Sequence, residues 1–302
     1  MMAARVNVNG AITDERGALI SVFDHGFLYG EGVYEVLRTY NAQPFLLDRH
    51  LKRLRNSAGM IALSVPLSDD QFADRITETI RNASNGGTST PTEWYIRILL
   101  TRGVGELTYD PASCPSPSVV IIVKPHAELP PELYDRGVKV VFSSIVRNHP
   151  GTVNPLIKSN NLLNNALAMQ EGFKRGAFEV IMRNYKGELA ECAQSNFFIV
   201  RDGRALTPPL SAGLLPGITR EFMWEVGRTA GIRVDEAILH DEDLYGADEV
   251  FLTGTTRQVM PVTEVEDRKI AGGTPGPITT TLLQTFRRLA LAEGNSSTAL
   301  GR

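Results

Sequence analysis

Of the 31 basic residues only seven are lysines, and Lys158 has unlike surroundings: Pro155-Leu156-Ile157-Lys158-Ser159-Asn160-Asn161-Leu162-Leu163 sets one amine between apolar residues. Removal from water lowers a lysine's pKa, and the neutral amine is a nucleophile that forms a Schiff base with an aldehyde. A strand-end lysine reaching back to solvent is the commoner result of such a context. Glu191 lies in Gly187-Glu188-Leu189-Ala190-Glu191-Cys192-Ala193-Gln194-Ser195-Asn196-Phe197-Phe198, between a turn and an apolar strand. Opposite an aromatic ring nitrogen, its charge would keep that nitrogen protonated and make the ring an electron sink. A solvated loop carboxylate is the ordinary alternative. Two turns, Leu215-Pro216-Gly217-Ile218-Thr219-Arg220 opening a helix and Thr253-Gly254-Thr255-Thr256 ending a strand, offer N–H and hydroxyl donors suited to a phosphate. Plain helix capping would use the same residues. Arg53, one helical turn beyond Arg49, carries the fork that phosphate favours, or else lies on a wet helix face.

The elements that must position these groups fall into two parts. In the first, Val6 and Val8 before Asn9-Gly10 predict a hairpin. A strand follows over 33–40, and then a helix capped by Asp48, with Leu51, Leu54, Ala58 and Ile61 at helical spacing. A second helix over 69–83, a polar loop over 84–92 and strands over 94–101 and 118–124 complete a small α+β domain, 1–124. The proline-rich stretch 125–133 reads as a stiff link. A larger α/β domain, 134–302, is expected to hold strands over 138–146, 179–183, 196–200 and 249–253. Its helices are expected over 161–172, 218–230 and 278–292.

Composition excludes several classes. The 302 residues carry 31 Lys plus Arg against 34 Asp plus Glu, a formal charge of -3 without like-charge runs, so a nucleic-acid footprint is not expected. Cys114 and Cys192 lie far apart with no CxxC spacing, which speaks against a metal site or a disulfide framework and for a reducing, cytoplasmic setting. No stretch has the roughly 20 apolar residues of a membrane span, and no membrane partner is expected.

The segment from Glu191 to Arg220, reading E-C-A-Q-S-N-F-F, then T-P, then L-L-P-G-I-T-R, resembles the signature of the class IV, fold-type IV aminotransferases. The likeness extends to Phe23-Asp24-His25-Gly26, Gly30-Glu31-Gly32-Val33-Tyr34-Glu35, the His50-to-Arg53 element, Lys158 and Ala247-Asp248-Glu249-Val250-Phe251, and so covers nearly the whole chain. It implies the D-amino acid aminotransferase-like fold with pyridoxal 5'-phosphate as cofactor. By that resemblance Lys158 carries the cofactor and moves the proton, Glu191 pairs with the pyridinium, and Arg53, Ile218, Thr219 and Thr255 hold the phosphate. Asn196, Leu215 and Gly217 complete the cofactor site, with Leu215 packed on the ring. It further implies amino acid and 2-oxo acid substrates and a homodimer in which Tyr29 completes the neighbour's substrate pocket.

Tyr95 and Arg97 are two apart on one strand and so share a face. Their pattern is similar to the branched-chain amino acid aminotransferases, where the pair helps hold substrate carboxylates. Tyr34, Arg38, Thr256 and Arg257 join them as candidate substrate residues. The Arg-x-His trap of D-amino acid enzymes is absent from Thr101-Arg102-Gly103-Val104-Gly105. Against this, Ser159-Asn160-Asn161-Leu162 after the lysine resembles the D-amino acid enzymes, and Arg257 replaces a residue that is usually small. The reading is therefore transfer from branched-chain or apolar L-amino acids to 2-oxoglutarate. The alternatives are D-amino acid or (R)-amine transfer, aminodeoxychorismate lyase chemistry and, from another class, a non-catalytic binding protein.

Overall fold

The computed structural model describes residues 4–84 and 93–299. The chain divides into two compact units, one of Met1–Ala127, Ile157–Asn161 and Leu291–Arg302, the other of Glu128–Leu156 and Leu162–Ala290. From residue 85 onward the polar loop expected at 84–92 lies outside the described residues.

In the first unit, β1 (Arg5–Val8) and β2 (Ala11–Thr13) form the expected hairpin. Asn9 and Gly10 both take positive φ, 51° and 101°, as a two-residue turn between twisted strands requires. The one-turn helix α1 (His25–Leu28) leads into β3 (Gly32–Tyr40) and the short β4 (Gln43–Pro44). Helices α2 (Leu47–Met60) and α3 (Asp69–Ser84) follow, then β5 (Trp94–Thr101) and β6 (Ser118–Pro125). Among the described residues the strands form one antiparallel sheet in the order β2-β1-β6-β5-β3-β4. Leu51, Leu54 and Ala58 of α2 and Phe72 and Ile76 of α3 pack with Leu37, Ile96, Ile98 and Ile121 into the core. Asp48 is not the cap that the sequence suggests. Leu46 is the N-cap, in a left-handed conformation and without a side-chain hydrogen bond, and Asp48 sits inside the first turn, where its charge still meets the positive end of the helix dipole.

The second unit starts with α4 (Pro131–Arg136), β7 (Val138–Phe142), α5 (Leu163–Lys174), β8 (Glu179–Arg183) and β9 (Leu189–Cys192). Then come β10 (Asn196–Arg201), β11 (Arg204–Thr207), α6 (Ile218–Ala230), β12 (Val234–Glu236) and α7 (Asp241–Tyr245). It closes with β13 (Glu249–Gly254), β14 (Gln258–Val265), β15 (Arg268–Lys269) and α8 (Pro277–Ala299), of which the residues from Leu291 on group with the first unit. The strand order is β12-β11-β10-β13-β14-β7-β8-β9, with β15 beside β14. The sheet is mixed: β7 runs parallel to both β14 and β8, whereas β10, β13 and β14 are antiparallel. The strand expected to reach Val146 ends at Phe142, because Ser143 and Ser144 turn aside to donate hydrogen bonds to Glu171. The last helix runs past the expected Ala292 to Ala299.

The core of the first unit predicts a contrast within one helix. Leu54 is fully buried and Met60 is 47% exposed. Leu54→Ala is expected to lower unfolding free energy by about 2–5 kcal/mol through lost transfer energy and an unfilled cavity, and Met60→Ala by less than about 0.5 kcal/mol. Urea titrations of the two variants check this, and equal losses would contradict the packing.

Candidate active site

Strand β3 turns Val33, Glu35 and Leu37 toward the core, and Tyr34 and Val36 to the other, half-exposed face, as the two-residue repeat of a strand dictates. Glu35 is thus a carboxylate buried among aliphatic side chains, and α2 meets it with two partners. Arg53 donates from Nε and Nη2 to its two oxygens at 2.7 Å each, and His50 Nδ1 lies 2.7 Å from Oε2. Burial alone would push the Glu35 pKa up, but the charge and hydrogen bonds of Arg53, helped by His50, hold it at about 2. Burial also keeps the His50 imidazole below its usual range, against the pull of Glu35. An ionised Glu35 only accepts, so His50 carries its proton on Nδ1.

Lys158 belongs to this same unit. Residues Ile157–Asn161 run antiparallel to the start of β3, with an isolated bridge between Val33 and Ser159. The Tyr34 N–H donates to the Lys158 carbonyl at 3.0 Å, and the Asn160 N–H donates to the Gly32 carbonyl at 2.9 Å. The Lys158 N–H donates to the hydroxyl of Ser57, a buried residue of α2, at 3.1 Å. The lysine backbone is therefore fixed on both sides while its side chain stays half-buried. Its Nζ lies 4.6 Å from the centre of the Tyr34 ring, and the Arg97 guanidinium lies 4.4 Å from the same centre. Tyr95 and Arg97 do share a face of β5, paired with Arg38 and Val36 of β3 respectively. Arg38 is buried, with its guanidinium over Tyr40. Tyr29 is the C-cap of α1, its ring 4.9 Å from His25 and 5.1 Å from Tyr109. Arg102, in the loop that lacks Arg-x-His, donates to Glu31 and to the Ile61 carbonyl at the end of α2.

In the second unit Glu191 lies on β9, buried, and accepts from Arg147 Nε at 2.8 Å and from Asn196 Nδ2 at 3.2 Å. The same Asn196 amide donates to the Leu215 carbonyl at 3.2 Å, joining the carboxylate to the loop that opens α6. Gly217 is the N-cap of α6 and offers no side-chain cap; a Cβ there would collide with Asn196 Oδ1. The first-turn amides of Ile218 and Thr219 are thereby left for an external acceptor. Arg220, the arginine of the motif, is buried and donates to the Pro208 carbonyl and to Glu236, which fastens the helix. Thr255 and Thr256 are half-exposed in the turn between β13 and β14. Two residues before Thr255, Thr253 Oγ1 is buried without a hydrogen-bond partner among the described residues. An uncapped helix N-terminus, a hydroxyl-bearing turn and a carboxylate in one unit suit a group with a phosphate and a basic ring nitrogen. The Arg257 guanidinium donates to Glu179 at 2.7 Å and to Gln194 at 2.9 Å.

Sequence reasoning assigned Glu35 and His50 no role beyond their place in the family likeness, and it did not pick out Ser57, Arg147 or Glu179. Only Glu35 carried a signal: it shares strand parity with two core residues, and a carboxylate there demands a cation.

A family model described as amino-transferase class IV matches residues 32–265. The chain belongs to that family, and it is an enzyme, a transaminase like the branched-chain aminotransferases. It is 37% identical, over 94% of its length and 95% of the relative's, to a putative branched-chain-amino-acid aminotransferase of Methanocaldococcus jannaschii. It is also 32% identical to the D-alanine aminotransferase of Listeria monocytogenes, over 93% of this chain and 94% of that one. Among solved structures, the branched-chain amino acid aminotransferase of Escherichia coli is similar at a TM-score of 0.89 and 32% identity, covering 96% of this chain and 96% of that one. The fold is thus fold-type IV, as the resemblance implied. No described helix is long and apolar enough to cross a membrane.

The Glu35 cluster predicts a pH dependence. A carboxylate whose pKa falls from 4.5 to about 2 on folding adds stability that is fully present above 4.5 and is lost as pH drops through about 2. Glu35→Gln leaves Arg53 buried without its counter-charge and is expected to cost about 3–5 kcal/mol at pH 7. The gap between variant and wild type should narrow as pH falls from 4.5 toward 2. Denaturant melts across that range measure it, and a pH-independent gap would contradict the ion pair.

Proposed function

We propose that the protein is a pyridoxal 5'-phosphate-dependent transaminase moving the amino group of branched-chain or other apolar L-amino acids to 2-oxoglutarate. The observation that supports this most is the Tyr34 ring with Lys158 Nζ on it at 4.6 Å and the Arg97 guanidinium at 4.4 Å. One face of the first sheet thus carries both an amine nucleophile and a cation suited to carboxylate.

When bound, the cofactor supplies an aldehyde that carries the amino group and a ring that takes up the electrons released at the substrate Cα. Lys158 would hold that aldehyde through Nζ and, as the free amine, would carry a proton between the substrate Cα and the cofactor side. Glu191, held by Arg147 and Asn196, would pair with the ring nitrogen and favour its protonated form. Ile218 and Thr219 at the α6 N-terminus, Thr255, and Arg53 as steadied by Glu35 bind the phosphate. Leu215 would pack on the ring. Arg97 and Tyr95 orient the substrate carboxylates, while Tyr34 and Val36 offer wall to an apolar side chain. Exposed Phe23, Phe27, Leu107 and Tyr109 lie on two segments joined by an Asp24–Val104 bridge, which supports a homodimer in which Tyr29 serves the neighbour's pocket. A second reading, D-amino acid transfer, is favoured by Ser159-Asn160-Asn161-Leu162 and by the D-alanine aminotransferase relative.

Single-turnover half-reactions with L-leucine, L-glutamate and D-alanine test the proposal. L-Leucine and L-glutamate are expected to react and D-alanine to lag. Arg97→Leu should weaken the glutamate half-reaction beyond the leucine one by roughly 1.5–3 kcal/mol, a charge-assisted hydrogen bond. Equal losses would leave Arg97 a general role, and faster D-alanine turnover would overturn the stereochemistry. Glu191→Gln should bind cofactor yet slow every donor, and an unchanged rate would remove Glu191 from the chemistry.

A further inference from the structure

Arg257 occupies a turn that the family resemblance assigns to phosphate and substrate, yet its side chain is engaged elsewhere. Nη1 donates to Glu179 Oε2 at 2.7 Å and Nη2 to Gln194 Oε1 at 2.9 Å, while the guanidinium carbon lies 5.2 Å from the Phe178 ring centre. Glu179 is fully buried on β8. Its carboxylate also accepts from the Val180 N–H, the Gln194 N–H and the Ser195 hydroxyl, at 3.0, 3.2 and 3.1 Å. Two loops therefore meet on one carboxylate: the 193–195 segment that follows Glu191, and the turn that carries Thr255 and Thr256.

Those loops lie within ordinary van der Waals reach of each other. A Cβ placed on Gly254 would sit 3.7 Å from Ser195 Cβ and 4.0 Å from the Gln194 carbonyl oxygen. The far arm of the turn is held separately. The Tyr134 hydroxyl donates to the Arg257 carbonyl at 3.2 Å. Gln258, at a φ of 57° that a non-glycine residue adopts reluctantly, accepts from Arg287 Nε at 2.8 Å. A planar fork can bind two acceptors at once, which a lysine ammonium cannot do with the same geometry.

We propose that Arg257 is a positioning residue that ties the Thr255–Thr256 turn to the Glu191 segment through Glu179 and Gln194, setting the turn for phosphate, and is not a contact for the substrate carboxylate. This rests on the proposed cofactor role of the turn. Glu179 is the other half of the device. Burial pushes its carboxyl pKa up, opposed first by the Arg257 charge, so the buried carboxylate and the guanidinium depend on each other.

The test compares wild type, Arg257→Met, Arg257→Lys, Glu179→Gln and the Glu179→Gln/Arg257→Met double variant. Three quantities are read: melting of the cofactor-free protein, the Kd for pyridoxal 5'-phosphate by fluorescence quenching, and KM for leucine and 2-oxoglutarate at saturating cofactor. Arg257→Met is expected to melt lower and bind cofactor ~10-fold or more weaker, the scale of a lost charge-assisted bond, with both KM values within ~3-fold of wild type, below the ~10-fold that such a lost bond would produce. Arg257→Lys should fall between. The double variant should recover melting and part of the cofactor affinity, because no buried charge is left unpaired. A KM raised ~10-fold or more at unchanged cofactor Kd would make Arg257 a substrate contact and overturn the proposal. Lower melting with cofactor affinity unchanged would reduce Arg257 to a stabilising role, which also overturns it. Failure of wild type to bind the cofactor would instead defeat the proposed function, and the melting cycle would still report whether Arg257 and Glu179 are coupled.

Discussion

Strand β3 has to satisfy two environments at once, and much of the first unit follows from that. Its core-facing side carries Glu35 between Val33 and Leu37, so a charged group enters an aliphatic interior. The position is tolerable only if α2 brings a cation to it, which fixes the rotation and register of that helix over the sheet. With Arg53 and His50 turned to Glu35, Leu51, Leu54 and Ala58 fall on the buried side of α2, and Ser57 comes within 3.1 Å of the Lys158 amide. Removing either charge would leave the other buried and unpaired, at a cost far above the net value of the intact pair.

The opposite side of the same strand carries side chains to which the proposed reaction gives roles. Tyr34 and Val36 face away from the core, and the start of β3 pairs with the segment containing Lys158. The alternation that places Glu35 in the core therefore places Tyr34 beneath the Lys158 amine and the Arg97 guanidinium. The second unit repeats the principle of a carboxylate held by an arginine. Glu191 with Arg147, and Glu179 with Arg257, stand on the neighbouring strands β9 and β8. Such pairs are weak evidence for stability in themselves. Their value here is orientation, since each fixes a backbone segment beside a group that the proposed reaction needs.

What the sequence revealed was local. The Asn9-Gly10 hairpin, the α6 start after Leu215-Pro216-Gly217, and the strand alternation of Tyr95 and Arg97 each depend on a few adjacent residues, and each is present in the structure. The motif Glu191 to Arg220 also named the family. Partners distant in the chain were illegible: Ser57 reaches Lys158 across 101 positions, and Arg147 reaches Glu191 across 44. Five residues, Ile157–Asn161, group with the first unit, yet a segment that short has no periodicity to read. Asp48 failed as a cap because the left-handed Leu46 sets the helix entry, and nothing in the identity of a leucine announces that backbone conformation.

In the proposed reaction Lys158 is the amine that bonds to the cofactor. Reduction of the cofactor-loaded protein with borohydride, followed by proteolysis and peptide mass mapping, addresses it directly. One phosphopyridoxyl-modified peptide is expected, with the added mass on Lys158, and that peptide should be lost when L-leucine is supplied before reduction. Modification of another lysine with Lys158 intact, or no covalent adduct at all, would contradict it.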